Sequence, residues 1–199
     1  MRELLDAQSH LQTEADEVVR LLDLDRLLAK VGRPVRVGSS AMGLMVRRDI
    51  DITVSCDRLD SAALEAFGSI GAHLLRQTQH LGAVKLRNDT GHWNMEPEKY
   101  PDGLYLWLSV QMPNKARWTL DIWLVDQPER QPDLAHLKTL LPRLSDATRA
   151  IILTIKHDLV ASADRSDAKI PSTLVYEAVM DHGVRTSADF AKWRLNHHQ

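Results

Sequence analysis

Two aspartates one residue apart, Asp49 and Asp51, have the clearest chemical potential in this chain. They lie in residues 48–54, where polar and apolar side chains alternate as in a strand with one buried face. Because side chains two apart on a strand point the same way, both carboxylates should project from one face. Carboxylates held this close repel each other unless a cation lies between them. The pair therefore predicts a site for Mg²⁺, or for Mn²⁺ in its place.

A third acid, Asp121, lies in the middle of another alternating segment, residues 118–125. Pro113 and Asn114 separate this segment from residues 104–111, which also alternate, so the two are predicted to form a β-hairpin. Strand pairing should then bring Asp121 beside the first two acids. Trp123 shares the face of Asp121; for Trp107 and Trp123 we predict packing in the core, with base stacking as the alternative.

A turn rich in small residues, Gly38-Ser39-Ser40, follows the short β-branched run at residues 34–37. A helical turn is expected after it, at residues 41–44. Free backbone N–H groups and a small residue at such a junction allow close approach of a phosphate. Together with the acids, the turn predicts a site for a metal and a triphosphate.

The order of these motifs resembles the signature of the DNA polymerase β-like nucleotidyltransferase superfamily. The resemblance is carried by VGSSAMGL at residues 37–44, DIDITV at 49–54 and WTLDIW at 118–123. It implies an α/β (α+β) fold, in which helices flank a mixed or antiparallel sheet and a helical part follows toward the C-terminus.

The resemblance also implies a role for each motif residue. Asp49 and Asp51 would bind one or two Mg²⁺ ions that bridge to a nucleoside triphosphate, and Gly38 and Ser39 would hold its β- and γ-phosphates. Asp121 would share the catalytic metal and help to deprotonate an acceptor hydroxyl. That hydroxyl would attack the α-phosphate and expel pyrophosphate, with AMP from ATP as the expected transferred group.

Two further side chains are predicted to contact the phosphates. Ser40 belongs to the same turn as Ser39. Lys156 lies on a predicted helix after the sheet, from which its ammonium could reach a triphosphate as a point charge. The alternative for Lys156 is a solvated helix face.

Charge and composition limit the partners. Hydrophobic residues make up 44% and charged residues 26% of the 199 residues, as in a packed globular protein. The formal net charge of -2 supplies no global positive field, so a small-molecule acceptor is favoured over a long nucleic acid. A tRNA end stays open as an acceptor.

The single cysteine, Cys56, leaves no internal disulfide to form, which suits a reducing compartment. Charges recur every few residues near the N-terminus, unlike a signal peptide, and no run approaches the roughly 20 apolar residues of a membrane span. These features predict a cytoplasmic protein without membrane contact.

The β-type alternation ends near Pro128, and the remaining chain has helical spacing. We therefore predict a catalytic core with an N-terminal helix at residues 1–130 and a helical C-terminal lobe at residues 131–199. The C-terminal helices could form an acceptor-binding lobe or the face of a homodimer.

Two alternatives to an active transferase follow from the same residues. A non-catalytic protein of this fold could bind nucleotide as a regulatory or toxin–antitoxin-type partner. An unrelated α/β interaction protein could carry the acids for structural reasons, because acids on the wet face of a strand are common.

Overall fold

A five-stranded sheet forms the centre of this protein in a computed structural model, which describes residues 2–162 and 170–197. The strands are β1 (Arg33–Val37), β2 (Asp49–Ser55), β3 (Leu81–Asp89), β4 (Gly103–Gln111) and β5 (Arg117–Val125). Their order in the sheet is β1-β2-β5-β4-β3; β2 and β5 run parallel, and the other neighbours run antiparallel. This mixed sheet confirms the predicted fold class.

Helices account for most of the remaining described residues. They are α1 (Arg2–Leu21), α2 (Leu24–Leu28), α3 (Gly38–Met42), α4 (Ser61–Leu75), α5 (Pro132–Leu140), α6 (Asp146–Ser162), α7 (Ser172–Met180) and α8 (Ser187–His197). Short 3₁₀ turns lie at Gly91–Trp93, Pro128–Arg130 and Leu141–Arg143. None of the helices described is both long and apolar enough to cross a bilayer.

The alternation of β2 and β5 gives the sheet one apolar and one acidic face. Ile50, Ile52 and Ile122 point into the core and are at most 3% exposed. They pack with the apolar sides of α1, α2 and α4. Burial of each such side chain contributes about 1.5–3 kcal/mol, so the pattern fixes which face remains for chemistry.

The predicted hairpin is confirmed as β4 and β5, joined at residues 112–116. The Met112 N–H donates to the Ala116 carbonyl at 2.9 Å, and Lys115 takes the left-handed conformation that closes the turn (φ 66°). The hairpin places Trp107 directly across from Asp121.

A second apolar cluster lies beside α3 and away from the first. It combines Met42 and Leu44 with buried side chains of α5, α6, α7 and α8, among them Ile155 and Val175. The helical C-terminal part thus has its own core and rests against the turn after β1. The domain boundary at residue 130 stays a prediction.

Candidate active site

Three carboxylates meet on the acidic face of the sheet. Asp51 and Asp121 are register partners on the parallel strands β2 and β5, and Asp49 lies two residues earlier on the same face. One oxygen from each of the three lies within 4.8 Å of the others. The structure therefore assembles the three acids that the sequence singles out.

Hydroxyl groups orient two of these acids. Thr119 Oγ1 donates to Asp49 Oδ1 at 2.6 Å, and the Tyr105 hydroxyl donates to Asp121 Oδ1. Burial, followed by this hydrogen bond to Asp121, raises the pKa of the Tyr105 phenol, so it remains a donor. Neither partner is evident from the sequence, because the contacts require neighbouring strands.

The pKa of Asp51 is strongly raised. Burial first, then the charges of Asp49, Asp133 and Asp121, raise its pKa to about 7, while Lys156 opposes the shift. Three acids with their oxygens this close and excess negative charge fit a divalent cation, which would hold all of them ionised. The donor set consists of oxygens alone, which Mg²⁺ and Mn²⁺ prefer.

Gly38 allows the turn after β1 to approach these acids. Its φ is +63°, and a Cβ built on it would lie 2.3 Å from Asp51 Oδ2. Any other residue would therefore be strained and would displace the carboxylate. The helix α3 begins here, earlier than the predicted helical turn at residues 41–44, because Gly38 provides the abrupt change of direction.

We expect Gly38→Ala to destabilise the protein by about 2 kcal/mol or more, because it combines a left-handed backbone with a clash. The matched control is Gly68→Ala within α4, where a Cβ meets nothing within 4 Å. That change should be neutral or should stabilise by up to about 1 kcal/mol. Chemical denaturation of both variants measures the difference, and equal stabilities would contradict the close approach at Gly38.

Ser39 joins a buried hydrogen-bond network beside the acids. Lys156 Nζ donates to Ser39 Oγ and to the Leu44 carbonyl, each at 2.7 Å, and the Tyr176 hydroxyl lies 2.9 Å from Ser39 Oγ and 3.2 Å from Nζ. The network joins α3 to α6 and α7. The sequence does not reveal Tyr176, which lies 137 residues after Ser39.

Lys156 is 6% exposed, so the alternative of a solvated helix face is wrong. Burial lowers the pKa of its ammonium to about 8, and the charges of Asp51 and Asp49 work against that shift. The charge nevertheless has three oxygen partners and faces the acids. Lys156 as a phosphate ligand stays a prediction, now with a suitable position.

Ser40 is 1% exposed, and its Oγ donates to the Val37 carbonyl at 3.2 Å. Ser40 is absent from the lining of the cavity that Gly38 and Ser39 line. Ser40 as a phosphate ligand stays a prediction, and this position does not favour it.

A first cavity of about 400 Å³ opens between the acids and the C-terminal helices. Gly38, Ser39, Asp49, Asp51 and Lys156 all line it. Its wall also contains residues that the motif does not include: Arg47, Asp133, His136, Ser172 and Tyr176. The cavity is large enough for a small ligand, and both carboxylates and cations line it.

A second cavity, of about 640 Å³, adjoins the first. Asp133, His136 and Thr173 line both. The other walls come from β3, β5 and the loop between β3 and β4. The two cavities are thus adjacent and share part of their lining.

Trp107 and Trp123 are half-buried on the acidic face, so the prediction that they pack in the core is wrong. Their strand positions alternate with the apolar ones that fill the core, whereas Trp118, on the opposite face, is 1% exposed. Base stacking by the two tryptophans stays open.

Comparison with known proteins finds the fold but no close relative. No protein-family model and no curated protein matches the chain. Among solved structures, a cytoplasmic RNA terminal U-transferase matches 90% of the chain with a TM-score of 0.57 and 16% identity. The Cid1 poly(U) polymerase bound to MgATP, from work on its UTP selectivity, matches 89% with a TM-score of 0.58 and 18% identity.

A further Cid1 structure, described for its RNA terminal uridylyl transferase activity, matches 90% of the chain with a TM-score of 0.55 and 18% identity. The chain spans about half the length of these structures, 52–55% of each. Similarity at this identity concerns the fold. The chain therefore shares its fold with these RNA terminal uridylyl transferase structures, in agreement with the fold class that the sequence predicts.

Proposed function

We propose that this protein is a metal-dependent nucleotidyltransferase, which moves a nucleoside monophosphate from its triphosphate to a hydroxyl and releases pyrophosphate. One observation carries the proposal: Asp49 and Asp51 of the carboxylate cluster line one cavity together with Ser39 and Lys156. Metal ligands and a buried cation that share one cavity match the two ends of a metal–triphosphate complex.

The donor would place its phosphates between α3 and α6. Ser39 and Lys156 would contact the terminal phosphates, together with the N–H groups at the start of α3. Arg47, which is exposed at the rim of the first cavity, would add a second cation. We propose ATP as the donor; the matched Cid1 structure binds MgATP, and its selectivity concerns UTP.

Asp49, Asp51 and Asp121 would hold Mg²⁺ or Mn²⁺, which neutralises phosphate charge and lowers the pKa of the acceptor hydroxyl. The acceptor oxygen forms a bond to the α-phosphorus, and the bond from that phosphorus to the β-phosphate oxygen breaks. Pyrophosphate leaves with the electron pair. Asp121, held by Tyr105, accepts the proton from the acceptor hydroxyl.

The acceptor we propose is a small molecule. The similar solved structures are RNA terminal uridylyl transferases, whereas this chain has a net charge of -2 and a second cavity beside the first. A reducing, cytoplasmic location belongs to the same proposal and is supported by the single cysteine.

The test is a thermal-shift series with the four nucleoside triphosphates, each with Mg²⁺, with Mn²⁺ and with EDTA. A nucleotide at about 100 times its dissociation constant should stabilise the wild type by roughly 2.7 kcal/mol, only with metal. Asp49→Ala/Asp51→Ala should lose this shift. The control Asp57→Ala/Glu65→Ala removes two exposed acids outside the site and should keep it.

The outcomes separate the alternatives. A shift that is equal in the Asp49→Ala/Asp51→Ala variant would refute the metal site. A metal-dependent shift without pyrophosphate release from any acceptor pool would favour the non-catalytic nucleotide-binding protein. No shift with any nucleotide would favour structural acids.

A further inference from the structure

The second cavity has an aromatic wall that the phosphate chemistry does not use. Trp93 is 59% exposed, Met95 85% and Tyr100 36%, all on the loop between β3 and β4. Trp123 forms the facing wall on β5, two residues after Asp121. Apolar side chains that remain this accessible around one concave space provide area for a ligand.

The charged groups of this cavity are predominantly acidic. Arg87 binds Asp89 through two hydrogen bonds, Nε to Oδ1 at 2.7 Å and Nη2 to Oδ2 at 2.6 Å, so this pair neutralises itself. Glu96 and Asp133 remain. Among the described lining residues, the other basic group is the imidazole of His136.

Neither remaining acid has a strong cationic partner among the described residues. Glu96 has Lys99 at 3.6 Å, but both side chains are 60% exposed, and such pairs contribute little. Asp133 is half-buried at the junction of the two cavities, one turn from His136. A cation in this space would therefore meet two incompletely neutralised carboxylates.

The rings nearby already accept a cation. The Arg87 guanidinium lies 4.7 Å from the centre of the Tyr105 ring and 5.5 Å from that of Trp123. The two rings contact each other at 4.8 Å between centres. Arg87 thus occupies these two rings, whereas the exposed indole of Trp93 lines the same cavity and is accessible to a ligand cation. Aromatic rings and carboxylates together favour organic ammonium groups.

We propose that the second cavity binds a small organic cation, a protonated amine that also carries a hydroxyl. As an acceptor, which rests on the proposed function, it would direct this hydroxyl toward the junction at Asp133 and the acids beyond. The hydroxyl oxygen would bond to the α-phosphorus as pyrophosphate leaves, and the ammonium would not react. A polyanionic strand would instead place phosphates against Glu96 and Asp133.

The experiment compares three hydroxyl probes of one shape: tyramine, which is cationic, p-ethylphenol, which is neutral, and p-hydroxyphenylpropionate, which is anionic. Their affinities are measured by ligand-observed NMR titration of the full chain, without nucleotide or metal. We expect tyramine to bind at least roughly ten-fold more tightly than p-ethylphenol, and the anion to bind most weakly. A short oligouridylate is titrated in parallel.

Variants locate the binding. Glu96→Gln and Asp133→Asn should each reduce the preference for tyramine over p-ethylphenol, and Trp93→Leu should weaken both probes. Glu98→Gln is the matched control, because this exposed acid lies two residues from Glu96 and outside the cavity wall. It should leave the preference unchanged.

Several results would overturn the proposal: equal affinity for tyramine and p-ethylphenol, no binding of either, a preference that survives both acid substitutions, or oligouridylate that displaces tyramine at lower concentration. Because these titrations contain no nucleotide, their failure would leave a metal-dependent nucleotide shift untouched. Conversely, a preference for tyramine without any thermal shift by nucleotide would support the cation-binding site and would refute only the proposed transferase activity.

Discussion

Asp51→Asn is expected to raise the stability of the metal-free protein and, at the same time, to abolish stabilisation by Mg²⁺ and nucleotide. Asp51 is half-buried beside two other acids, and desolvation followed by the nearby charges raises its pKa to about 7. An amide of the same shape removes the buried charge but also removes a metal ligand. The two opposite effects distinguish a functional acid from a structural one. Replacement of a structural acid would lower the stability of the metal-free protein as well.

The sign of the pH dependence follows from the raised pKa. Folding favours the protonated form of Asp51, so its contribution to stability is complete below its unfolded pKa and is lost as the pH rises through about 7. In EDTA, the stability of Asp51→Asn relative to wild type should therefore grow between about pH 4 and 7 and level off above pH 8. The limiting difference is on the order of 4 kcal/mol.

Urea denaturation in EDTA across this pH range measures the difference, and the same series with Mg²⁺ and ATP measures the lost ligand stabilisation. Asp57→Asn, an exposed acid just beyond β2, is the control and should track wild type in both series. A less stable Asp51→Asn variant in EDTA would contradict the repulsive cluster. Retained nucleotide stabilisation would contradict the metal site.

Lys156→Met is expected to weaken binding of Mg²⁺–ATP by roughly 100-fold, because it removes a buried cation from the predicted phosphate site. The ammonium now donates to Ser39, Leu44 and Tyr176, and a triphosphate would compete for it at the Ser39 side. Methionine has a similar length and keeps the packing. The fold should therefore survive, with a change in stability of about 1–2 kcal/mol from the unpartnered Leu44 carbonyl.

Isothermal titration with Mg²⁺–ATP measures this change. Lys192→Met is the matched control, since this lysine is exposed on α8. Lys156→Arg should not restore affinity, because a guanidinium is larger than the space between Ser39 and Tyr176 and holds its charge in a planar fork. If Lys156→Met binds Mg²⁺–ATP with wild-type affinity, the role of Lys156 is limited to stabilising the packing of α6 on α3.

These two residues line the same cavity but belong to different packing units. Asp51 rises from the sheet, whose apolar side forms the first core, whereas Lys156 comes from α6, which helps to form the second core. A triphosphate that binds both would connect the two units. Nucleotide should then stabilise the protein as a whole.

Local patterning was sufficient for much of the sheet. Alternation in residues 118–125 and the Pro113-Asn114 turn predict the β4–β5 hairpin, because a strand with one buried face needs period two and a hairpin needs a turn residue between its strands. The same period places Asp49 and Asp51 together. The parallel pairing of β2 with β5 has no such local signal, because the two strands are distant in the sequence.

Side-chain partners between distant elements were not available from such patterns. The alternation of β4 and β5 does not state which face is covered, so Trp107 and Trp123 were assigned to the core although they lie with the acids. The sequence does not show that Lys156 is buried, because its burial depends on the packing of α6 on α3. Tyr105 and Tyr176 carry no local signal at all, because their roles depend on Asp121 and Ser39 being brought to them.

By itself, the sequence determined the acids, the Gly-Ser turn and which side chains share a strand face, because these depend on residue type and on the period of a single element. The tertiary structure decided which face is covered and which groups surround the acids: the hydroxyls that orient Asp49 and Asp121, the burial that perturbs Asp51, and the two adjacent cavities. Burial and pairing are properties of several packed elements, so no single segment encodes them.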